Sequence, residues 1–377
     1  MAKYKNLTMY FILISIIIIY RYYWSTVSQW REDQGTNIWL SYTKTLSETP
    51  VGLLSSKMIP NPNGMLAFGK IFILFDSLLS VTFLLSLIQV IIFYFLSREL
   101  TSDSKVNNYS FALLSLSTLT SSSSVEFWNN WVLIIFNGLF FIYILKYLNT
   151  KKSEHLLISI FISFVPPALY LAGLTNFIAY ILIIFFALII NGKPKPVSRK
   201  FFVYTSALIT LIMNYLLIWK PYFKVITFGE IFGFSNLTLY DRFNLFTDSL
   251  LQLPGSFLTI WTNQKSFYIL QVDRDVISEL TNILFKLYVE YHKILFLMFF
   301  LLLIFGISSL TKISNKDLDK LLIKKIILFI NFVLISVLIN PLLGGPNYFL
   351  LERMENMAQY YIFYILVVFL LPFIFIK

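Results

Sequence analysis

Two adjacent carboxylates, Glu32 and Asp33, stand just beyond an almost wholly apolar stretch at 8–24. A carboxylate held at a bilayer surface can take a proton from an acceptor hydroxyl that comes within hydrogen-bond reach, and partial burial moves its pKa toward neutrality. A solvated acid pair in a wet loop is the plainer use of the same residues. Arg353 lies between Glu352 and Glu355 near the C-terminal end. Its planar guanidinium suits a phosphate bidentately, and it suits an ion pair with either glutamate as well. Lys57, ahead of the turn Ile59-Pro60-Asn61-Pro62-Asn63-Gly64-Met65, can serve a phosphate or sit among headgroups. Glu126, with Asn129 and Asn130, marks a tight turn between two apolar runs. An acid at a membrane edge is a functional candidate by default, and a turn acid in water is the alternative. Asn63 in the Pro/Asn turn joins Glu126 and Asn129 as a candidate contact for an acceptor or a sugar. So does Tyr360, although an aromatic belt is the commoner use of Tyr360-Tyr361 at the start of a last span.

Composition decides what must position these groups. Hydrophobic residues make up 58% of the 377 and charged ones 13%, with a mean hydropathy of +0.75. A soluble domain carries roughly a quarter charged residues, so this chain cannot cover itself with a polar surface. Its apolar runs are each long enough for a hydrocarbon core of roughly 30 Å, and uninterrupted Leu/Ile/Phe runs in lipid mean helices. The expectation is an all-α polytopic membrane protein forming one integral membrane domain over 1–377. About ten transmembrane helices are expected, at roughly 8–24, 76–97, 108–122, 128–147, 155–171, 174–191, 201–219, 291–310, 325–342 and 359–376.

The net charge of +11 belongs to the loops. With the N-terminus inside, the inner loops hold Lys3, Lys5, Arg98, Lys105, Lys146, Lys151, Lys152 and the basic clusters at 193–200 and 312–325. The short outer loops hold Arg31, Lys44, Lys57 and Arg353. Positive-inside bias therefore puts both termini in the cytoplasm and the acids outside, and no nucleic-acid partner is needed to explain the charge. The first span is expected to be a retained anchor, since it lacks a small-x-small cleavage site. With no cysteine, disulfides, thiolate nucleophiles and Cys-ligated metals are excluded. His155 and His292 lie far apart, so a His-based metal cluster is not expected. No span centre carries a chain of acids and bases of the kind proton-coupled transporters use, which counts against that class.

Two outer segments are long enough to build a site. The first, 25–75, holds the acid pair, Trp30, Trp39 and the Pro/Asn turn; Ile38–Leu54 is expected to lie along the surface as one or two short helices. Asn61-Pro62 forbids helix at 61, so a helix entering the membrane should start near Gly64, with Asp76 a few turns in. The second, 220–290, is sized for a cap over a site. Pro166-Pro167 predicts a kink or turn near the outer end of the fifth span.

One span, an outer acid motif (Glu32-Asp33-Gln34-Gly35), a surface segment, then Gly52 and Ile59–Gly64 leading into a membrane helix resembles the multi-pass GT-C glycosyltransferases. The similarity is to the bacterial subgroup of lipopolysaccharide-modifying transferases and relatives of protein mannosyltransferases. Its motifs are confined to about residues 28–70 and, more weakly, 352–372. The resemblance implies a bacterial cytoplasmic-membrane enzyme that moves a sugar from a polyprenyl-phosphate-linked donor to a glycan or lipid-glycan acceptor on the outer face, among membrane lipids. It implies that Asp33 deprotonates the acceptor, Glu32 orients it, and Arg353, with Lys57, binds the lipid phosphate as leaving group. One base and one leaving group imply inversion. No cofactor is demanded, although a divalent cation is compatible. The chain departs from the family in reading Glu-Asp where many members read Asp-Glu, and in having no large C-terminal soluble domain. Two rivals remain: an O-antigen or capsule polymerase or ligase, and a non-catalytic flippase or transporter.

Overall fold

The computed structural model describes residues 2–27, 39–41, 43–45, 48–49, 51–54, 60–70, 78–100, 103–116, 129–169, 173–192, 194, 200–226, 238–241, 243–244, 246–247, 294, 297, 301 and 317–342. These residues are mainly helical. In chain order the helices are α1 (Ala2–Val27), α2 (Gly64–Lys70), α3 (Leu78–Leu100), α4 (Ser104–Leu116), α5 (Asn129–Thr150), α6 (Ser153–Ser163), α7 (Val165–Leu169), α8 (Gly173–Asn191), α9 (Lys200–Asn214) and α10 (Asp317–Leu342). A π-turn, Tyr215–Trp219, carries α9 on into a final turn, Lys220–Tyr222. Before α2, β1 (Val51–Leu54) pairs antiparallel with β2 (Pro60–Pro62), Val51 facing Pro62 and Leu54 facing Pro60.

The helix ends follow local chemistry. The Asp103 carboxylate accepts the Lys105 N–H (2.8 Å) and so opens α4. Lys151 takes a left-handed backbone, φ 59°, as its N–H returns to the Tyr147 carbonyl and stops α5. Gly192 does the same after α8 with φ 75°, its N–H on the Leu188 carbonyl. Phe164 interrupts the α6–α7 run just before Pro166-Pro167, where the sequence predicts a turn.

One apolar core runs through the bundle. α5 packs against α3, α6, α8 and α10, while α1 packs on α3 and α4. Gly138 lets α5 approach α3: a Cβ there would lie 2.3 Å from the Ile92 Cγ2. Between α5, α8 and α10 the rings of Phe140 and Tyr180 stack at 3.9 Å, and those of Phe141 and Phe329 at 4.6 Å. The outward faces are apolar too. Phe11 and Ile19 on α1, Ile91 on α3, Phe185 and Ile189 on α8 and Leu208 on α9 all stand exposed.

Among the described residues one helical stretch, Leu79–Leu100, is long and apolar enough to cross a membrane by length and composition; Tyr10–Thr26, Ser153–Leu169 and Asn176–Asn191 are shorter apolar helices. Most of the expected spans at 291–310 and all of that at 359–376 lie outside the described residues.

One expectation is overturned. Ile38–Leu54 is not helical throughout, because Val51–Leu54 is a strand. Pro50 explains the change: it biases Thr49 toward extended backbone and has no N–H to continue a helix. The expected start near Gly64 agrees with α2.

Candidate functional site

The described part of the first long loop is a clamped platform. Asn63 is fully buried, and its Nδ2 donates to the Thr49 carbonyl (2.9 Å). Its own carbonyl accepts the Leu66 N–H (3.0 Å) and the Ala67 N–H (3.2 Å), which launches α2. Gly64 then meets α7 backbone to backbone: a Cβ at Gly64 would stand 2.1 Å from the Ala168 carbonyl oxygen. Gly173 likewise leaves room for the Pro166 carbonyl, 2.2 Å from where its Cβ would be. At the far end of α2, Lys70 Nζ donates to the Ser41 carbonyl (2.9 Å), tying the turn to the residues after Trp39.

Thr45 and Glu48 add a local lock. The Thr45 N–H (2.6 Å) and hydroxyl (2.8 Å) both donate to Glu48 Oε2, half of a capping box. Those bonds, the backbone one first, hold the Glu48 carboxyl below the usual glutamate range. Thr238 and Asp241 repeat the device in full inside 220–290: Asp241 Oδ2 accepts the Thr238 hydroxyl (2.7 Å) and N–H (2.8 Å), and the Asp241 N–H returns to the Thr238 hydroxyl (3.2 Å). Asp241 is thereby also held below its usual range, chiefly by the Thr238 hydroxyl.

Beside the end of α1 sits a group the sequence reading passed over. Arg21 lies in an apolar run that ends in Tyr-Tyr-Trp, where a basic residue reads as an interfacial end. It is wholly buried, on the same face of α1 as Ile17, Trp24 and Ser25. Its Nε donates to the Ser115 carbonyl (2.9 Å) and its Nη1 to Gln89 Oε1 (2.8 Å), with the guanidinium 5.9 Å from the centre of the Phe93 ring. The signal that could have found it is the pairing of an Arg in one apolar run with a Gln at the centre of the next, since each needs a partner if both are buried.

The bundle's other end is basic. Arg98 donates to the hydroxyl of Tyr10, and to Asn108 Oδ1 at 3.2 Å. Lys325 Nζ donates to the Glu99 (2.6 Å) and Leu100 (3.0 Å) carbonyls, and Lys324 Nζ to the Ile190 carbonyl (3.3 Å). Cations thus sit on the C-terminal carbonyls of α3 and α8, where the helix dipole favours them. Asn149 Nδ2 reaches Glu99 Oε2 (2.8 Å), bringing the end of α5 into the same cluster.

Of the candidate site residues, Glu32, Asp33, Lys57, Glu126, Arg353 and Tyr360 lie outside the described residues, as does Asp76. Asn129 is the first residue of α5. Asn63 is described, with its amide nitrogen spent on Thr49. Among the described residues no three His, Cys, Asp or Glu side chains gather as a metal site. No family model, curated protein or solved structure matches the chain.

Proposed function

We propose that the chain is a polytopic membrane glycosyltransferase of the bacterial cytoplasmic membrane. It transfers a sugar from a polyprenyl-phosphate donor to a glycan or lipid-glycan acceptor on the outer face. The carrying observation is the outer acid pair Glu32-Asp33 followed by the Pro-Asn-Pro-Asn-Gly turn, the features that resemble the GT-C enzymes. In this reading Asp33 takes the proton of the acceptor hydroxyl as its oxygen bonds to the anomeric carbon. The bond from that carbon to the phosphate oxygen breaks, and its electron pair leaves with the polyprenyl phosphate beside Arg353. Configuration inverts in a single displacement.

Three structural features support a membrane setting of about ten helices with this orientation. The bundle's exterior carries exposed Ile, Leu and Phe side chains, as a lipid-facing surface does. Arg98, Lys324 and Lys325 gather at one end, as the inner face requires. β2 and α2 are held against α7, at the end of the α6–α7 run remote from its basic start.

A carrier or flippase has one observation in its favour. Asn176 Nδ2 donates to Asn137 Oδ1 (3.3 Å) inside the bundle, while Asn176 Oδ1 and the Tyr180 hydroxyl, both buried, have no hydrogen-bond partner. Buried polar groups inside a bundle are what a transport path needs.

The test uses purified protein in nanodiscs with native lipid extract as donor pool, following lipid-linked sugars by mass spectrometry. Wild type is expected to consume one such species and Asp33→Asn to lose at least about 100-fold in rate. Equal consumption by both removes Asp33 from the chemistry. Transport of a lipid-linked saccharide that is indifferent to Asp33→Asn selects the carrier.

A further inference from the structure

The seam where α8 packs on α5 and α10 encloses Asn137 of α5 and Asn176 and Tyr180 of α8, each at most 1% exposed. Asn176 Nδ2 donates to Asn137 Oδ1 (3.3 Å), which ties α8 to α5. The Tyr180 ring is stacked against two others, that of Phe140 from α5 at 3.9 Å and that of Phe332 from α10 at 5.5 Å. These nearly parallel neighbours leave the phenol little freedom. Asn176 and Tyr180 are four residues apart and so share a face of α8. A long helical side chain leans back toward the N-terminus, which sends the Tyr180 hydroxyl toward the turn that carries Asn176.

Both groups end short of a partner. The Tyr180 hydroxyl and Asn176 Oδ1 are buried and, among the described residues, make no hydrogen bond. A buried polar atom in that position forfeits its hydration with nothing in return, and native folds rarely tolerate it. The two defects are complementary. The phenol has a proton to give and the amide oxygen has lone pairs to receive one, yet they do not meet. A molecule that accepts from the first and donates to the second cures both at once. One donor and one acceptor suit neither a cation, which wants several oxygens, nor an anion, which wants several donors. Burial this complete inside a packed bundle limits the guest to the size of water.

We propose that α5, α8 and α10 enclose a structural water that accepts the Tyr180 O–H and donates to Asn176 Oδ1. Two such partners are enough to hold a buried water. The assignment is independent of the transferase reading. It also gives the polar seam a purpose that needs no moving solute. The water completes a chain from Asn137 through Asn176 to Tyr180, joining α5 to the ring stack at α10. A carrier would need these same groups to exchange with bulk solution; a structural water keeps them closed.

The test unfolds the full chain by denaturant in detergent, as wild type, Tyr180→Phe, Asn176→Leu and the double variant. A shared water makes Tyr180→Phe lower the folding equilibrium constant about fivefold in the wild-type background and less than about twofold beside Asn176→Leu, which lacks the acceptor. A rise or no change for Tyr180→Phe, or an equal loss in both backgrounds, overturns the water. Brief X-ray irradiation gives a second readout that needs no folded variant. Hydroxyl radicals made from a resident water should oxidise Tyr180 in the wild type, to an extent that a radical scavenger in the buffer does not reduce. An unoxidised Tyr180 overturns the proposal too. Oxidation that the scavenger suppresses makes the niche an open path to solution, which overturns the structural water and favours the carrier.

Discussion

Glu48 is stabilised in its charged form by two donors from a single threonine. Its carboxyl is held below the usual glutamate range in the folded chain, so the sign of the pH effect is fixed. The local order it provides is fully present above the ordinary glutamate pKa and is lost as pH falls through the lower, folded value. Hydrogen exchange across residues 43–49, corrected for its intrinsic pH dependence, should therefore show protection disappearing on acidification. Glu48→Gln should abolish that pH dependence, and Thr45→Ala should move the carboxyl titration back toward an ordinary glutamate. The motif was legible: Thr45 followed three residues later by Glu48 is the spacing of a capping box. Arg21 was not legible, because a run of apolar neighbours hides a buried cation as easily as an interfacial one.

Elements in this chain are set by prolines and glycines more than by hydrophobic periodicity. The turn at Phe164 and the start of α2 at Gly64 could both be read from Pro166-Pro167 and from Asn61-Pro62. The strand at Val51–Leu54 could not, because its partner Pro60–Pro62 has a sequence that argues against strand; only the pairing across the intervening residues makes one. The tightness of Gly64 against Ala168 was also invisible, since it is a contact between distant backbones. It gives a sharp expectation. Gly64→Ala places a methyl 2.1 Å from a carbonyl oxygen that belongs to the main chain and has little freedom to yield. The substitution should cost about 1–3 kcal/mol in denaturant unfolding in detergent. Gly138→Ala would place its methyl 2.3 Å from the Cγ2 of Ile92, a buried β-branched side chain with one strongly preferred rotamer in a helix, and should also destabilise the fold.

At the scale of the whole molecule, composition and the distribution of basic residues were readable directly, because both are sums over residue types and need no packing to be seen. The described helices meet with Arg98, Lys324 and Lys325 at one end. The candidate site was readable only as residue types: the proposed general base and phosphate ligand come from segments far apart in sequence, and Asp33 and Arg353 both lie outside the described residues. Orientation has its own test. Single cysteines at Lys151 and at Glu48, both exposed, should react with a membrane-impermeant maleimide from opposite sides of the membrane. Labelling of both from the same side would overturn the proposed topology, and with it the proposed outer location of Glu32 and Asp33.

The backbone contact between Gly64 and Ala168 also sets an order in time. The two residues are about 100 positions apart, and a ribosome adds roughly 5–20 residues per second. For about 5–20 s after the Pro/Asn turn is made, the surface on which it rests does not yet exist. The newly made loop must wait undocked while α3 to α7 are synthesised. A slowed or stalled ribosome within that interval would prolong the exposure of this one segment, making it the expected point of attack for quality-control proteases.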